Sequence, residues 1–556
     1  QSDLSAIPEP GKISPIDNMK GLVQPWQTAL AICGAWISLL MLALLSRHLL
    51  AVDETRYVSV AWEMWLRGDL LVPHLNGEPY EHKPPLLFWL IHLIWQLFGV
   101  SEAAARLVPA FAGLVGALLV MPLAALLWPR QRACGPVGAW IVFTLTLWAV
   151  WTTAMMFDLL VAVCAEIALF GVLMAWRGRA AAGWLVAGLG IGLGILAKGP
   201  VILIYVLPAA LLAPWWMTEQ RPASWLAWYG GTLAAILLGT AIGLSWALPA
   251  AVAGGEAYAN GILWGQTTGR VVESFAHQRP FWWYLPLLPL LLFPWSLWFP
   301  LWRGLRERWL QGWDSGERLT LVVAATGLLI FSSISGKQAH YLLPLFPALA
   351  LFAARGLSNE GPRQPPTWAP WLPAAPLLVL GVAVTLLPAV GVFDSRAAWV
   401  EQLPPWVGAP VLAALILAIV VARSVSVLAW PGVLSLLFLG AAYPGIVREV
   451  AKHYDVHTMA SAVAAQQDLG RPVAFAGKYR GEFNFAGRLG IPLTPLRHGS
   501  IASWAAVHPD GLLVHRTDER PGPDARGIHF WRTYRSDYLV LRDVSSWRPV
   551  PDDARN

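Results

Sequence analysis

The chain has 556 residues, 56% of them hydrophobic and only 13% charged, with a mean hydropathy of +0.53. A soluble chain carries about 25% charged residues, so this composition excludes an ordinary water-soluble globule and requires lipid as solvent. The formal net charge of +6 does not indicate nucleic acid, because the Lys and Arg residues are spread over short loops rather than gathered on one face.

Residues 1–24 are polar, contain three prolines and lack a charged-then-apolar leader, which predicts a disordered cytoplasmic tail. Apolar runs of about 18 residues or more then recur as far as residue 446. They predict helices near 26–47, 103–128, 136–153, 158–176, 182–198, 200–216, 224–250, 284–302, 319–335, 340–356, 369–390, 408–424 and 428–446. About thirteen spans make an all-α polytopic membrane protein, since the runs are too long and too uniformly apolar for barrel strands. The segment 48–102 is too polar to span, but Tyr57–Arg67 and Leu86–Phe98 are amphipathic and predict helices lying in the interface. After residue 446 the composition changes. Short candidate strands at Val473–Ala476, Leu512–Val514 and Tyr538–Leu541, separated by turns, predict a small soluble α/β domain over 447–556, leaving 25–446 as the membrane domain. Cys33, Cys134 and Cys164 all fall in or beside apolar segments and imply no disulfide framework.

Alternate loops are basic: Arg130 and Arg132, Arg177 and Arg179, Arg221, Arg303 with Arg306 and Arg308, Arg355 with Arg363, and Arg423, on the same side as Lys12 and Lys20. By the positive-inside rule that side is the cytoplasm. The opposite side receives 48–102, Asp158, Lys198, 251–283, 332–340 and the tail from 447, and with them the residues of chemical interest.

The first is Asp53-Glu54-Thr55-Arg56-Tyr57, where the first span ends. An interfacial cap would account for isolated charges, but Asp is too short to snorkel and a mixed-sign cluster at a membrane boundary is costly unless paired or used. The second is Tyr80-Glu81-His82-Lys83-Pro84-Pro85, in which Lys83 offers a charge to a phosphate or simply snorkels beside headgroups. Asp158 stands within apolar surroundings at the outer end of a span, as a functional carboxylate, a helix N-cap or both. Lys198, the segment from Arg270 to Arg279 with His277, and Gly336-Lys337-Gln338-Ala339-His340-Tyr341 add cations around the two carboxylates, a setting suited to a lipid phosphate. Trp282, Trp283, Trp295 and Trp298 read more simply as an interfacial belt. The chain has no Gly-rich phosphate loop, no Cys or His set at zinc spacing and no serine nucleophile elbow, so a soluble nucleotide-sugar site has no support.

These segments resemble the PMT-type GT-C glycosyltransferases, and among them the bacterial undecaprenyl-phosphate aminoarabinose transferases that modify lipid A. The resemblance is carried by Val52 to Tyr57, Gly68-Asp69, Val72-Pro73-His74-Leu75, Tyr80 to Pro84, Asp158, Ala197-Lys198-Gly199, His277 to Tyr284 and Ser335-Gly336-Lys337, across roughly residues 26–356. It implies thirteen spans with a C-terminal periplasmic domain in the bacterial inner membrane. It also implies transfer of 4-amino-4-deoxy-L-arabinose from an undecaprenyl phosphate carrier to lipid A phosphates at the periplasmic leaflet. The resemblance carries the catalytic aspartate onto Asp53, a second acidic site onto Asp158, and donor phosphate contacts onto Arg56, Lys83, Lys337 and Tyr341, with Arg270 a further candidate. Glu54, Glu81, His82, Lys198, His277 and His340 are the remaining site candidates. The chain departs from the family pattern in two places: His82 stands where Glu precedes the lysine, with Glu81 one position earlier, and Gln266-Thr267 replaces a Glu-His pair.

An inverting single displacement would use a carboxylate to orient or deprotonate the acceptor while cations neutralise the departing polyprenyl phosphate. It requires no cofactor; a divalent metal, if one binds, would fall to Asp53, Glu81 and His82. The two departures keep open a related transferase using another polyprenyl-phosphate sugar, such as mannose. A transporter or flippase for lipid-linked sugar is a rival of another class, but its charges belong near the midplane. A single site on this side requires Asp53, Lys83, Asp158 and Lys337 to converge on one cavity.

Overall fold

The computed structural model describes residues 24–264, 278–358, 365–390, 400–401, 403–422, 425–522 and 526–547. The expected N-terminal tail, but for its last residue, lies outside them, as do Arg270 and His277. Among the described residues, 9 helices are long and apolar enough to cross a membrane.

Helix α1 (Pro25–Ser46) leads to the interfacial helix α2 (Asp53–Arg67), a small hairpin of β1 (His74–Leu75) and β2 (Glu78–Pro79), and a second interfacial helix, α3 (Leu86–Phe98). The spans α4 (Glu102–Leu127), α5 (Asp158–Trp176), α6 (Ala180–Lys198), α7 (Trp225–Asn260) and α8 (Ser315–Ser333) match expected positions. Other expected spans are interrupted. The run 136–153 divides into Cys134–Thr144 and Thr146–Trp151, because Leu145 is extended between them. The run 284–302 becomes 3-10 turns at Phe281–Leu287 and Trp295–Leu297 with Leu288–Leu291 between them, before Phe299–Gln311 resumes. Its prolines, Pro286, Pro289, Pro294 and Pro300, remove the amide donors a continuous helix needs.

The hairpin of α5 and α6 does most to position the site. Each helix has 19 residues, roughly 28 Å at 1.5 Å per residue, close to a hydrocarbon thickness of about 30 Å. They are joined by the tight Arg177-Gly178-Arg179 turn, in which Gly178 has φ +87°. The first residue of α5 and the last of α6 therefore meet at the opposite end. Small residues keep the axes close: a Cβ on Gly171 would lie 2.3 Å from the Ala187 amide nitrogen, and one on Gly183 would lie 2.5 Å from that of Ala175.

The turn end is tied by structural charges. Arg177 donates to the terminal carbonyls of α4, Leu126 (2.7 Å) and Leu127 (2.9 Å). Arg308 grips Glu317 (2.8 and 2.6 Å), and Asp314 and Glu317 form a capping box at the start of α8.

Beyond the last span, α9 (His457–Asp468) packs on a five-stranded sheet of order β4-β3-β5-β7-β6, with β3 (Val473–Ala476) parallel to β4 (Thr494–Leu496) and to β5 (Leu512–Thr517). The strands β6 (Ile528–Tyr534) and β7 (Asp537–Asp543) complete it antiparallel. The three expected strands lie within β3, β5 and β7; the sequence reading does not anticipate β4 and β6. This α/β domain seats on the 48–102 segment. Ser59 donates to the Gly481 carbonyl (2.7 Å), Trp62 to that of Leu489 (3.0 Å), and Asn484 to Glu63 (2.9 Å), which also accepts from the amides of Asn76 and Gly77.

Candidate functional site

Asp158 opens α5 and Lys198 closes α6, so the hairpin itself brings them together: the ammonium donates to Asp158 Oδ1 at 2.5 Å. Asp158 is 2% exposed. His340 Nε2 lies 3.9 Å from its other oxygen, and the His340 ring stacks on Trp151 at 5.5 Å. Lys198 also sits over the Tyr341 ring, 4.8 Å from its centroid, while Tyr205 donates to the Tyr341 carbonyl (2.8 Å) and holds that segment against the bundle.

The interfacial loop supplies the other side. Asp53 stands at the first turn of α2, where the helix dipole favours a carboxylate, and is the exposed member of an ion pair with Arg56. Arg56 Nη2 reaches the Tyr57 hydroxyl at 3.3 Å, and its Nε has no hydrogen-bond partner among the described residues. Lys83 lies over Phe157, 5.6 Å from the ring centroid, and Phe157 is the residue before Asp158. Tyr57 and Phe88 meet the same ring edge-on at 4.9 and 5.8 Å. The charges of Asp158, Lys198, Lys83 and Asp53 all act on His340. Two carboxylates and several cations thus gather at one end of the bundle, walled by aromatic rings, an arrangement that can neutralise an anionic group.

Other candidates stand elsewhere. Glu54 is 5% exposed and receives both Arg47 nitrogens (2.5 and 3.0 Å) and the amides of Leu50 (2.7 Å) and Met155 (2.8 Å). Its carboxylate is filled by the architecture. Lys337 is buried and gives its ammonium to the carbonyls of Arg279 (3.0 Å) and Ile334, because the bridge between Gln278 and Gly336 draws those acceptors around it. Its ammonium is spent on these carbonyls, and among the described residues Asp158 pairs with Lys198 and His340 instead. His82 is exposed with its ring against Tyr80, and Glu81 is half-buried close to Gly261. Asp53, Glu81 and His82 do not form a metal-spaced group.

Sequence reasoning passed over Arg47 and Arg106, which lie inside or at the end of apolar runs, and Trp151 and Tyr205, which are indistinguishable in sequence from packing residues. It also passed over Glu166, a charge inside the α5 run. Glu166 is buried with neither carboxylate oxygen hydrogen-bonded among the described residues.

The family model described as dolichyl-phosphate-mannose-protein mannosyltransferase matches residues 82–246. The undecaprenyl phosphate-alpha-4-amino-4-deoxy-L-arabinose arabinosyl transferase of Pectobacterium carotovorum strain PC1 is 33% identical over 350 residues, 62% of this chain and 61% of the relative. The enzyme of that name from Pseudomonas paraeruginosa is 31% identical over 388 residues, 68% of each chain. The chain thus spans about three fifths of the Pectobacterium relative and about two thirds of the Pseudomonas one. In fold it is similar to the crystal structure of ArnT from Cupriavidus metallidurans bound to undecaprenyl phosphate, with TM-score 0.69, 20% identity, and coverage of 94% of this chain and 99% of that one.

Proposed function

Because the chain belongs to the undecaprenyl phosphate-alpha-4-amino-4-deoxy-L-arabinose arabinosyl transferase family, we propose that it moves aminoarabinose from the polyprenyl phosphate to a phosphate of lipid A. The observation that carries this reading is the gathering of Asp158, Lys198, His340 and Tyr341 beside Asp53, Arg56 and Lys83 at one mouth of the bundle. The basic turns at the other end, including Arg177 and Arg308, support placing the mouth and the α/β domain on the periplasmic side of the inner membrane. In this division, residues 25–446 carry the reaction and 447–556 cover the interfacial loop.

The donor's tail stays in lipid while Arg56 and Lys83 meet its phosphate. The bond between the sugar's C1 and the carrier phosphate oxygen breaks as a lipid A phosphate oxygen bonds to C1 from the opposite face, and undecaprenyl phosphate leaves. A phosphate acceptor is already anionic near neutral pH, so Asp53 orients the acceptor or pairs with the sugar's amine instead of removing a proton. Lys198 neutralises Asp158, whose second oxygen lies beside His340 and can accept from a sugar hydroxyl.

Mass spectrometry of lipid A from a bacterial host with and without this chain tests the assignment. The expected result is an added aminoarabinose on the lipid A phosphates. Unmodified lipid A from membranes that contain the folded chain would remove the substrate assignment.

A further inference from the structure

A second cluster of titratable groups lies apart from that mouth, where three distant segments meet. His48 follows α1, Glu102 opens α4, and His457 opens α9 of the C-terminal domain. His48 Nδ1 and His457 Nε2 each lie 3.3 Å from the same carboxylate oxygen, Glu102 Oε2, and all three candidate donor atoms fall within 4.8 Å of one another. Among the described residues this is the one group of three or more His, Cys, Asp or Glu side chains at such spacing.

We propose that His48, Glu102 and His457 bind a divalent transition metal, with zinc the best fit, and that the metal clamps the α/β domain onto the membrane body. Ligand atoms about 2.0–2.1 Å from a tetrahedral ion stand roughly 3.3 Å from each other, the separation each imidazole keeps from Glu102 Oε2. Charge-assisted hydrogen bonds to a carboxylate are shorter, about 2.7–2.9 Å. The two imidazole rings lie 3.9 Å apart at 32°. As two imidazolium cations they would repel at that distance, whereas as neutral ligands they can share one ion.

The surroundings orient the ligands as metal sites require. His457 Nδ1 is 2.9 Å from Asp455 Oδ1, and with that carboxylate holding the Nδ1 proton the imidazole would offer Nε2 to an ion beside Glu102. Asp455 is itself held by Arg532 Nη1 at 3.1 Å. The second oxygen of Glu102 pairs with the buried Arg106 at 3.0 Å, leaving Oε2 for the site. His48 is exposed, which gives the ion a route in and leaves a fourth position to water. His48 also stands on the short connection that leads to Asp53, so the clamp would fix the placement of the α2 start without joining the chemistry.

The test uses the full chain, purified in detergent without a polyhistidine tag, stripped with chelator and then dialysed against zinc chloride alone. We expect one retained equivalent of zinc, a higher melting temperature with zinc than with chelator, and loss of that equivalent in His48→Ala and His457→Ala. Asp455→Asn should weaken zinc affinity about 10- to 100-fold. Absence of retained zinc in the wild-type chain would overturn the proposal without reference to any variant. Equal retention by the folded His48→Ala, His457→Ala double variant would also overturn it.

Discussion

Two neighbouring carboxylates at the start of α2 and one at the start of α5 show how differently the same chemical group can be used at one membrane boundary. Glu54 receives four hydrogen bonds, two from Arg47 and two from backbone amides. Burial raises its pKa, but the Arg47 guanidinium outweighs that and holds it below the ordinary carboxylate value. Asp158, equally buried, has one close donor, Lys198, and His340 at 3.9 Å. Asp53 keeps one partner, Arg56, and faces water. A carboxylate saturated by donors anchors the fold; one with open acceptor capacity beside exchangeable cations is available to substrate.

The largest effect that would sharpen this contrast is expected from Asp53→Asn. The substitution keeps shape and removes the charge that orients the acceptor or holds the sugar's amine, so sugar transfer should fall by about 100-fold. Asp53 is the exposed member of its ion pair, with 55% of its side chain in water, so the melting temperature should reflect a loss below about 1 kcal/mol. Lipid A modification and melting of the purified variant are to be measured together. Normal transfer would move the chemistry to Asp158.

Glu54→Gln should behave in the opposite way. Removing one partner leaves Arg47 buried without its counter-charge, at a cost of about 3–5 kcal/mol. The expected readout is a large drop in melting temperature and in the amount of folded protein, with activity per folded molecule less affected than in Asp53→Asn. Wild-type stability with lost transfer would place Glu54 in the chemistry and erase the distinction.

Lys83→Ala probes the cation side. A charge-assisted contact to phosphate contributes about 1.5–3 kcal/mol, so the KM for polyprenyl-linked donor should rise about 10-fold or more at unchanged expression. Lys83→Arg should recover part of it. Unaltered donor dependence in the alanine variant would remove Lys83 from the phosphate site.

Much of this was readable in the sequence because period and length are local. The apolar runs 158–176 and 182–198 predict both helices and place Asp158 and Lys198 at their ends, but the pairing of the two charges depends on the hairpin turn that brings those ends together. Glu54 appeared as one more site candidate because two of its donors, the amides of Leu50 and Met155, have no side-chain signature. Lys337 appeared as a phosphate ligand because the bridge from Gln278 to Gly336 that surrounds it with carbonyls is long-range. The grouping of His48, Glu102 and His457 depends on domain docking, and no spacing motif links residues so far apart. The 284–302 run is apolar enough to span, but its four prolines remove amide donors that hydrophobicity alone does not register.

The smallest effect tests whether saturation confers a structural role outside the membrane body too. On the sheet, Asp543 accepts from Arg471 (2.6 Å) and His529 (2.8 Å), ties β7 to the segment before β3, and keeps 31% of its side chain exposed. Burial raises its pKa, but the bonds from Arg471 and His529 outweigh this and leave it below the ordinary value. With the folded pKa depressed, the stabilisation is present above the unfolded carboxylate pKa, about 3.9, and is lost as pH falls below that. Half-solvated pairs contribute about 0–1 kcal/mol, so Asp543→Asn should lower the melting temperature only slightly at neutral pH. The gap between wild type and variant should close as the buffer is acidified to about pH 3, with sugar transfer per folded molecule unchanged at neutral pH. A gap that widens on acidification would reverse the sign argued here, and lost transfer in a stable variant would show that a filled carboxylate far from the mouth still reaches the chemistry.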